Sequence, residues 1–99
     1  MSRVFIVGGE TQKISTDSDG ASVALDGVGD VLRIISMNTA LPCHIRAGVG
    51  TQTPVDTDLP CIFGETEYLY IGFSADTVGV KFPAGGNSGT VYVTRGSTR

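Results

Sequence analysis

Apolar and polar residues alternate with a period of two along most of this chain, the repeat of strands that bury one face and wet the other. The alternation is cleanest at 65–73, Glu-Thr-Glu-Tyr-Leu-Tyr-Ile-Gly-Phe. It predicts a strand with Leu69, Ile71 and Phe73 toward a core and Tyr68 and Tyr70 on the other face. Runs at 77–82 and 89–94, joined by Pro-Ala-Gly-Gly-Asn-Ser, predict a closing hairpin with Val78, Val80, Phe82, Val91 and Val93 inward. The densest stretch is 30–48, a β-branched run, a short polar connection and a second alternating run that ends in glycine. It predicts a central hairpin whose four-residue loop is 38–41. That register sets Leu32 opposite Ala47, Ile34 opposite Ile45 and Ser36 opposite Cys43 on the core face. The other face then carries Arg33 opposite Arg46, beside Val31, Ile35 and His44. Opposed cations repel, so this face is expected to meet carboxylates, from the chain itself or from a partner. With Val31 and Ile35 also on it, the strand is expected to be covered on both sides.

The remaining segments are shorter. Ser-Arg-Val-Phe-Ile-Val at 2–7 is an apolar strand closed by Gly8 and Gly9, read as an outer strand of the domain in preference to an arm that joins a neighbour's sheet. Residues 10–16 are polar and β-tolerant, as suits an edge strand blunted by charge. Asp-Ser-Asp-Gly at 17–20 opens like a calcium loop, but the next five residues supply no third acidic ligand, and a surface turn is the better reading. Val23, Leu25 and Val28 continue the apolar pattern until Gly27 and Gly29 break it. Residues 49–60 form a long connection without periodicity, either a solvated crossover or a contact loop. About eight short strands separated by turn signals predict one all-β domain over residues 1–99. Its expected form is a single-domain antiparallel β-sandwich, jelly-roll-like where long connections swap sheets.

Composition sharpens this picture in three places. The 99 residues include 14 glycines and few helix-forming runs, so almost no helix is expected. Ten acidic residues against seven basic ones, a net charge of −3, argue against a surface that follows a phosphate backbone, and Arg95 and Arg99 read as a solvated terminus. No charged and apolar leader and no membrane-length apolar run occur, so synthesis in a cytoplasm without a removable signal is expected. In that reducing setting Cys43 and Cys61 are expected as small core residues rather than a disulfide.

Candidate chemistry is sparse. His44, Asp56 or Asp58, and Ser88 in Gly-Asn-Ser-Gly follow the order of a serine-protease triad, and the tetrapeptide resembles a nucleophile turn. Such proteases need two barrels, so a glycine-rich turn is the simpler reading. One histidine and no paired metal-ligand spacing point to no metal and no cofactor. Tyr68 and Tyr70 are either a stacking platform for a sugar or partner, or ordinary cross-strand packing.

Four stretches carry a resemblance: Val-Leu-Arg-Ile-Ile-Ser-Met-Asn-Thr at 31–39, Cys-His-Ile-Arg-Ala-Gly-Val-Gly at 43–50, Asp-Thr-Asp-Leu-Pro at 56–60 and Gly-Thr-Val-Tyr-Val-Thr-Arg-Gly at 89–96. Together they resemble small structural proteins of tailed bacteriophages, over roughly two-thirds of the chain. The departures are Cys43, His44 and Cys61, where the looser pattern has ordinary strand residues. The resemblance implies a non-enzymatic capsid decoration, or cement, protein. Such a protein is a β-sandwich on the head exterior, often a homotrimer near threefold positions, with the major capsid protein and itself as partners and neither nucleic acid nor membrane. On that reading the expected contact elements are Val4, Phe5 and Ile6, the cations Arg33 and Arg46, and the 51–58 loop with Thr51, Gln52, Thr53, Asp56 and Asp58. The competing expectations are a glycan- or receptor-binding module and a neck or tail ring component of the virion.

Overall fold

The period-two segments become antiparallel strands: β1 (Phe5–Val7), β2 (Gln12–Asp17), β3 (Ala21–Ala24), β4 (Val31–Ser36), β5 (Cys43–Gly48), β6 (Leu59–Cys61), β7 (Thr66–Tyr70), β8 (Thr77–Lys81) and β9 (Ser88–Thr98). This computed structural model describes residues 4–37, 43–55, 59–61, 66–83 and 88–98, and no helix occurs among them. β1 and β2 pair with the same edge of β9, Val7 facing Gly96 and Gln12 facing Val93, so they are one edge strand interrupted at residues 8–11. One sheet then runs β1/β2, β9, β4, β7 and the other β3, β8, β5, β6. That order, eight positions in two facing antiparallel sheets, is a jelly roll.

The predicted core faces are the observed ones. Leu32, Ile34, Ile45, Val78, Val80, Phe82, Val91 and Val93 are all buried between the sheets with Ile14 and Cys43, and Leu69 and Ile71 pack against them. The predicted pairings are not. β4 lies in one sheet and β5 in the other, so 30–48 is no hairpin, and β8 and β9 are likewise in different sheets. Arg33 therefore faces Tyr68 and Thr94, while Arg46 faces Gly79, and the expected clash of opposed cations does not arise. Ser36 and Cys43 do meet, but across the core, where the Cys43 thiol donates to Ser36 Oγ at 3.8 Å. The physical reason is that alternation decides which face of a strand is apolar, and either a sheet neighbour or the opposing sheet can cover that face. Cys43 and Cys61 are Cα partners across β5 and β6, and the Cys61 side chain lies outside the described residues.

Three further expectations are corrected. Phe73 is 73% exposed, because the strand stops at Tyr70: the Ile71 and Gly72 amides both donate to the Asp30 carbonyl, and Gly72 turns the chain with φ of 77°. Arg95 is no solvated terminus. It continues the inward parity of Val91 and Val93, is 6% exposed, and donates from Nε to the Gly29 carbonyl at 2.9 Å and from Nη2 to the Phe73 carbonyl at 3.0 Å. Val28, 73% exposed, also leaves the apolar pattern.

The two sheets are also stitched along one seam. The Gln12 side chain donates to the Ala24 carbonyl at 2.8 Å and accepts from the Asp26 amide at 2.9 Å, so a side-chain amide stands in for a strand residue between β2 and β3. The 17–20 stretch is a tight turn, with the Asp19 amide on Asp17 Oδ1 and the Gly20 amide on the Asp17 carbonyl.

Candidate functional site: the outer face of the five-stranded sheet

Strand register puts Phe5 and Val7 of β1, Lys13 of β2, Tyr92 of β9, Val31, Arg33 and Ile35 of β4, and Tyr68 and Tyr70 of β7 on the outward side of this sheet. Their inward neighbours fill the core, so one strand system supplies both a dry interior and an aromatic exterior. Phe5 stands on one edge and Tyr68 on the other, yet their ring centroids are 5.8 Å apart with planes inclined at 53°. Gly96 on the intervening β9 makes room for this reach, since a Cβ there would lie 2.7 Å from Phe5 Cζ. The Arg33 guanidinium carbon sits 5.1 Å from the Phe5 ring centroid, a cation–π contact.

The face is only partly covered. Val31 is buried and Arg33 and Ile35 are half-buried, whereas Tyr68, Tyr70 and Val7 are exposed by 54%, 71% and 59%. Among the described residues the Arg33 side chain forms no hydrogen bond or ion pair, so its donors are open to solvent. Lys13 is the second outward cation, and the outward carboxylate Asp17 sits at the far end of β2 opposite Ser88. In a chain of net charge −3 this sheet face is therefore locally cationic.

The other contact candidates lie on the opposite side of the sandwich. The 49–55 loop crosses the outer face of the four-stranded sheet and is held there by Gln52. The Gln52 amide donates to Ser22 Oγ at 3.0 Å, and its side chain donates to the Val49 and Gly50 carbonyls at 3.3 and 3.1 Å. Gly79 permits this approach, since a Cβ there would stand 2.5 Å from the Gln52 carbonyl oxygen. Beside the loop a cavity of about 200 Å³ is lined by Asp19, Ser22, Thr51, Gln52, Thr53 and Lys81. Arg46, exposed on β5, belongs to this side. The structure thus brings Phe5 and Arg33 together with Tyr68, places Val4 and Ile6 at the same edge, and separates all of them from Arg46 and residues 51–53. Asp56 and Asp58 lie outside the described residues.

No family model, curated protein or solved structure matches the chain. What it can do is therefore argued from its own surface. His44 and Ser88 fall in different sheets, on β5 and at the start of β9. Sequence reading singled out Phe5, Arg33 and Tyr68 one by one but missed that they form one cluster. It also missed Tyr92, whose place opposite Ile35 on the same face is readable from the alternation of 89–94.

At the root of the 49–55 loop the Gly50 amide donates to Asp76 Oδ1 at 3.0 Å and the Thr77 hydroxyl donates at 2.8 Å. These two bonds, the backbone one first, hold the Asp76 carboxyl below its ordinary pKa of 3.8. A carboxyl lowered on folding stabilises the fold fully above pH 3.8 and loses that contribution as pH falls through the folded-state value. Asp76→Asn is accordingly expected to melt below the wild type at pH 7, with the gap closing under pH 3.8, as thermal melts across pH 2–7 would read.

Proposed function

We propose that the chain is a non-enzymatic structural protein of a tailed-phage virion, a decoration protein that binds the outside of the head and braces it against the pressure of packaged DNA. The observation that carries this reading is the outward sheet face on which Phe5, Arg33, Tyr68 and Tyr70 gather, partly exposed. A contiguous aromatic patch of this kind on a small domain marks an interaction surface. The sequence resemblance supplies the setting: the partner is the major capsid protein, the protein is made in the host cytoplasm, and it assembles on the capsid exterior. Self-association into a homotrimer would let each subunit make modest contacts and gain affinity because later contacts become intramolecular.

The test is occupancy. Purified protein is added to heads stripped of it, the heads are sedimented, and bound copies are counted. Saturable binding is expected, together with heads that retain DNA at higher temperature than bare ones. A protein that leaves heads bare at micromolar concentration overturns the reading. Native mass spectrometry separates the trimer from a neck or tail ring, which would show a larger closed oligomer.

One observation favours a second reading. Tyr68 and Tyr70 occupy the same face of β7 two residues apart, both exposed, which is a stacking arrangement for sugar rings in a glycan- or receptor-binding module. Saturable binding on a carbohydrate array, lost in Tyr68→Ala and Tyr70→Ala, would favour it.

A further inference from the structure

We infer that the outer face of the five-stranded sheet docks an acidic protein surface, with Arg33 clasping a partner carboxylate while Phe5 holds the guanidinium in place. The inference rests on the decoration reading for the identity of the partner, but its chemistry comes from this face alone. An arginine at a folded domain's surface usually spends its five donors on a carboxylate, a carbonyl or water. Here Arg33 is half-buried, lies over Phe5 at 5.1 Å, and its side chain makes no hydrogen bond or ion pair among the described residues. The Phe5 ring carries no hydrogen-bond acceptor atom, so this contact leaves the guanidinium donors available, and their fork matches a carboxylate with two parallel hydrogen bonds.

The surroundings select the same ligand. Arg33 faces Tyr68 and Thr94 across its two strand neighbours, and neither offers a negative charge. Lys13 adds a second cation to the face, and its outward carboxylate Asp17 stands at the remote end of β2. The exposed tyrosines Tyr68 and Tyr70 frame the site with apolar rings that carry hydroxyl tips. An arginine that loses water on docking gains more from a charged partner than from a neutral one, and tyrosine and arginine are enriched in protein interfaces relative to the rest of the surface. Phe5 makes the site conditional, because β1 is held by only three register pairs to β9 and carries the ring on which Arg33 rests.

Two measurements test this separately. The first compares occupancy of stripped heads by wild type, Arg33→Gln, Arg33→Lys and, as a cation on the other sheet, Lys81→Gln at 50 and 300 mM salt. Expected are a loss of at least tenfold in Arg33→Gln, a smaller loss in Arg33→Lys, weaker binding at high salt, and no change in Lys81→Gln. The second follows amide and Tyr ring shifts by nuclear magnetic resonance during titration with a capped peptide of alternating Glu and Leu and its Lys and Leu counterpart. Shifts at Phe5, Arg33, Tyr68 and Tyr70 with the acidic peptide alone support the inference. Normal head binding by Arg33→Gln, or loss in Lys81→Gln instead, overturns the docking face and leaves the decoration reading standing. Acidic-peptide binding without any head binding sinks the decoration reading and leaves the chemistry of the face intact. Shifts with both peptides or with neither overturn the acidic-protein partner.

Discussion

Arg95→Ala is expected to lower the melting temperature by roughly 15 °C, the response of a domain this size to a loss of about 3 kcal/mol. Arg95 is 6% exposed and its guanidinium bonds two carbonyls from different segments, Gly29 before β4 and Phe73 after β7. Truncation leaves both acceptors unpartnered at the end of the core and opens a void where the long side chain packed. Both terms act in the same direction. Arg95→Lys restores a charge but not the forked geometry that reaches two carbonyls from Nε and Nη2, so it is expected to recover less than half of the loss. Thermal melts followed by circular dichroism at neutral pH read all three proteins. A shift under 2 °C in Arg95→Ala would mean that the two hydrogen bonds contribute nothing beyond what water supplies.

Gly96→Ala is expected to detach β1 while leaving the rest of the sandwich folded. A Cβ at Gly96 would stand 2.1 Å from the Ile6 carbonyl oxygen and 2.7 Å from Phe5 Cζ, so something must move. β9 is fixed between β2 and β4, whereas β1 contributes three register pairs and the Gly8 amide bond to the Arg95 carbonyl, so β1 is the element that yields. Overpacking of this kind costs about 1–3 kcal/mol, and the loss is local. Hydrogen exchange is expected to quicken by roughly tenfold or more at Phe5, Ile6 and Val7 and hardly at Leu32 or Val93. With Phe5 displaced, Arg33 loses its aromatic partner, so head occupancy is expected to fall in Gly96→Ala and in Phe5→Ala alike. Unchanged protection at Ile6 would show that the β1 backbone does not approach Gly96 this closely.

These two residues also show how far a one-dimensional pattern reaches. Arg95 falls on the same parity as Val91 and Val93, so its inward direction was readable, but a charge near a chain end reads as a solvated terminus unless its acceptors are known. Those acceptors lie 66 and 22 residues away in sequence. The contact loop behaves similarly. Residues 49–55 have no periodicity to announce a path, and the signal that fits them to the outer face of the four-stranded sheet is the small residues Gly79 and Ser22 on neighbouring strands. The candidate site was legible only in fragments. Phe5, Arg33 and Tyr68 each stood out for its chemistry, and their union depends on β9 separating β1 from β4 while β4 pairs with β7.

By itself the order of residues determined the all-β class, the inward set from Ile34 to Val93 and the tyrosine face of β7, because side-chain direction in a strand follows local alternation alone. Only the tertiary structure decided which strands are neighbours. β4 and β5, adjacent along the chain and matched in pattern, were equally suited to share a sheet or to face each other across the core. The choice lies with long-range packing, which sorts nine similar segments into two sheets whose inward apolar faces meet, and no single segment carries that information.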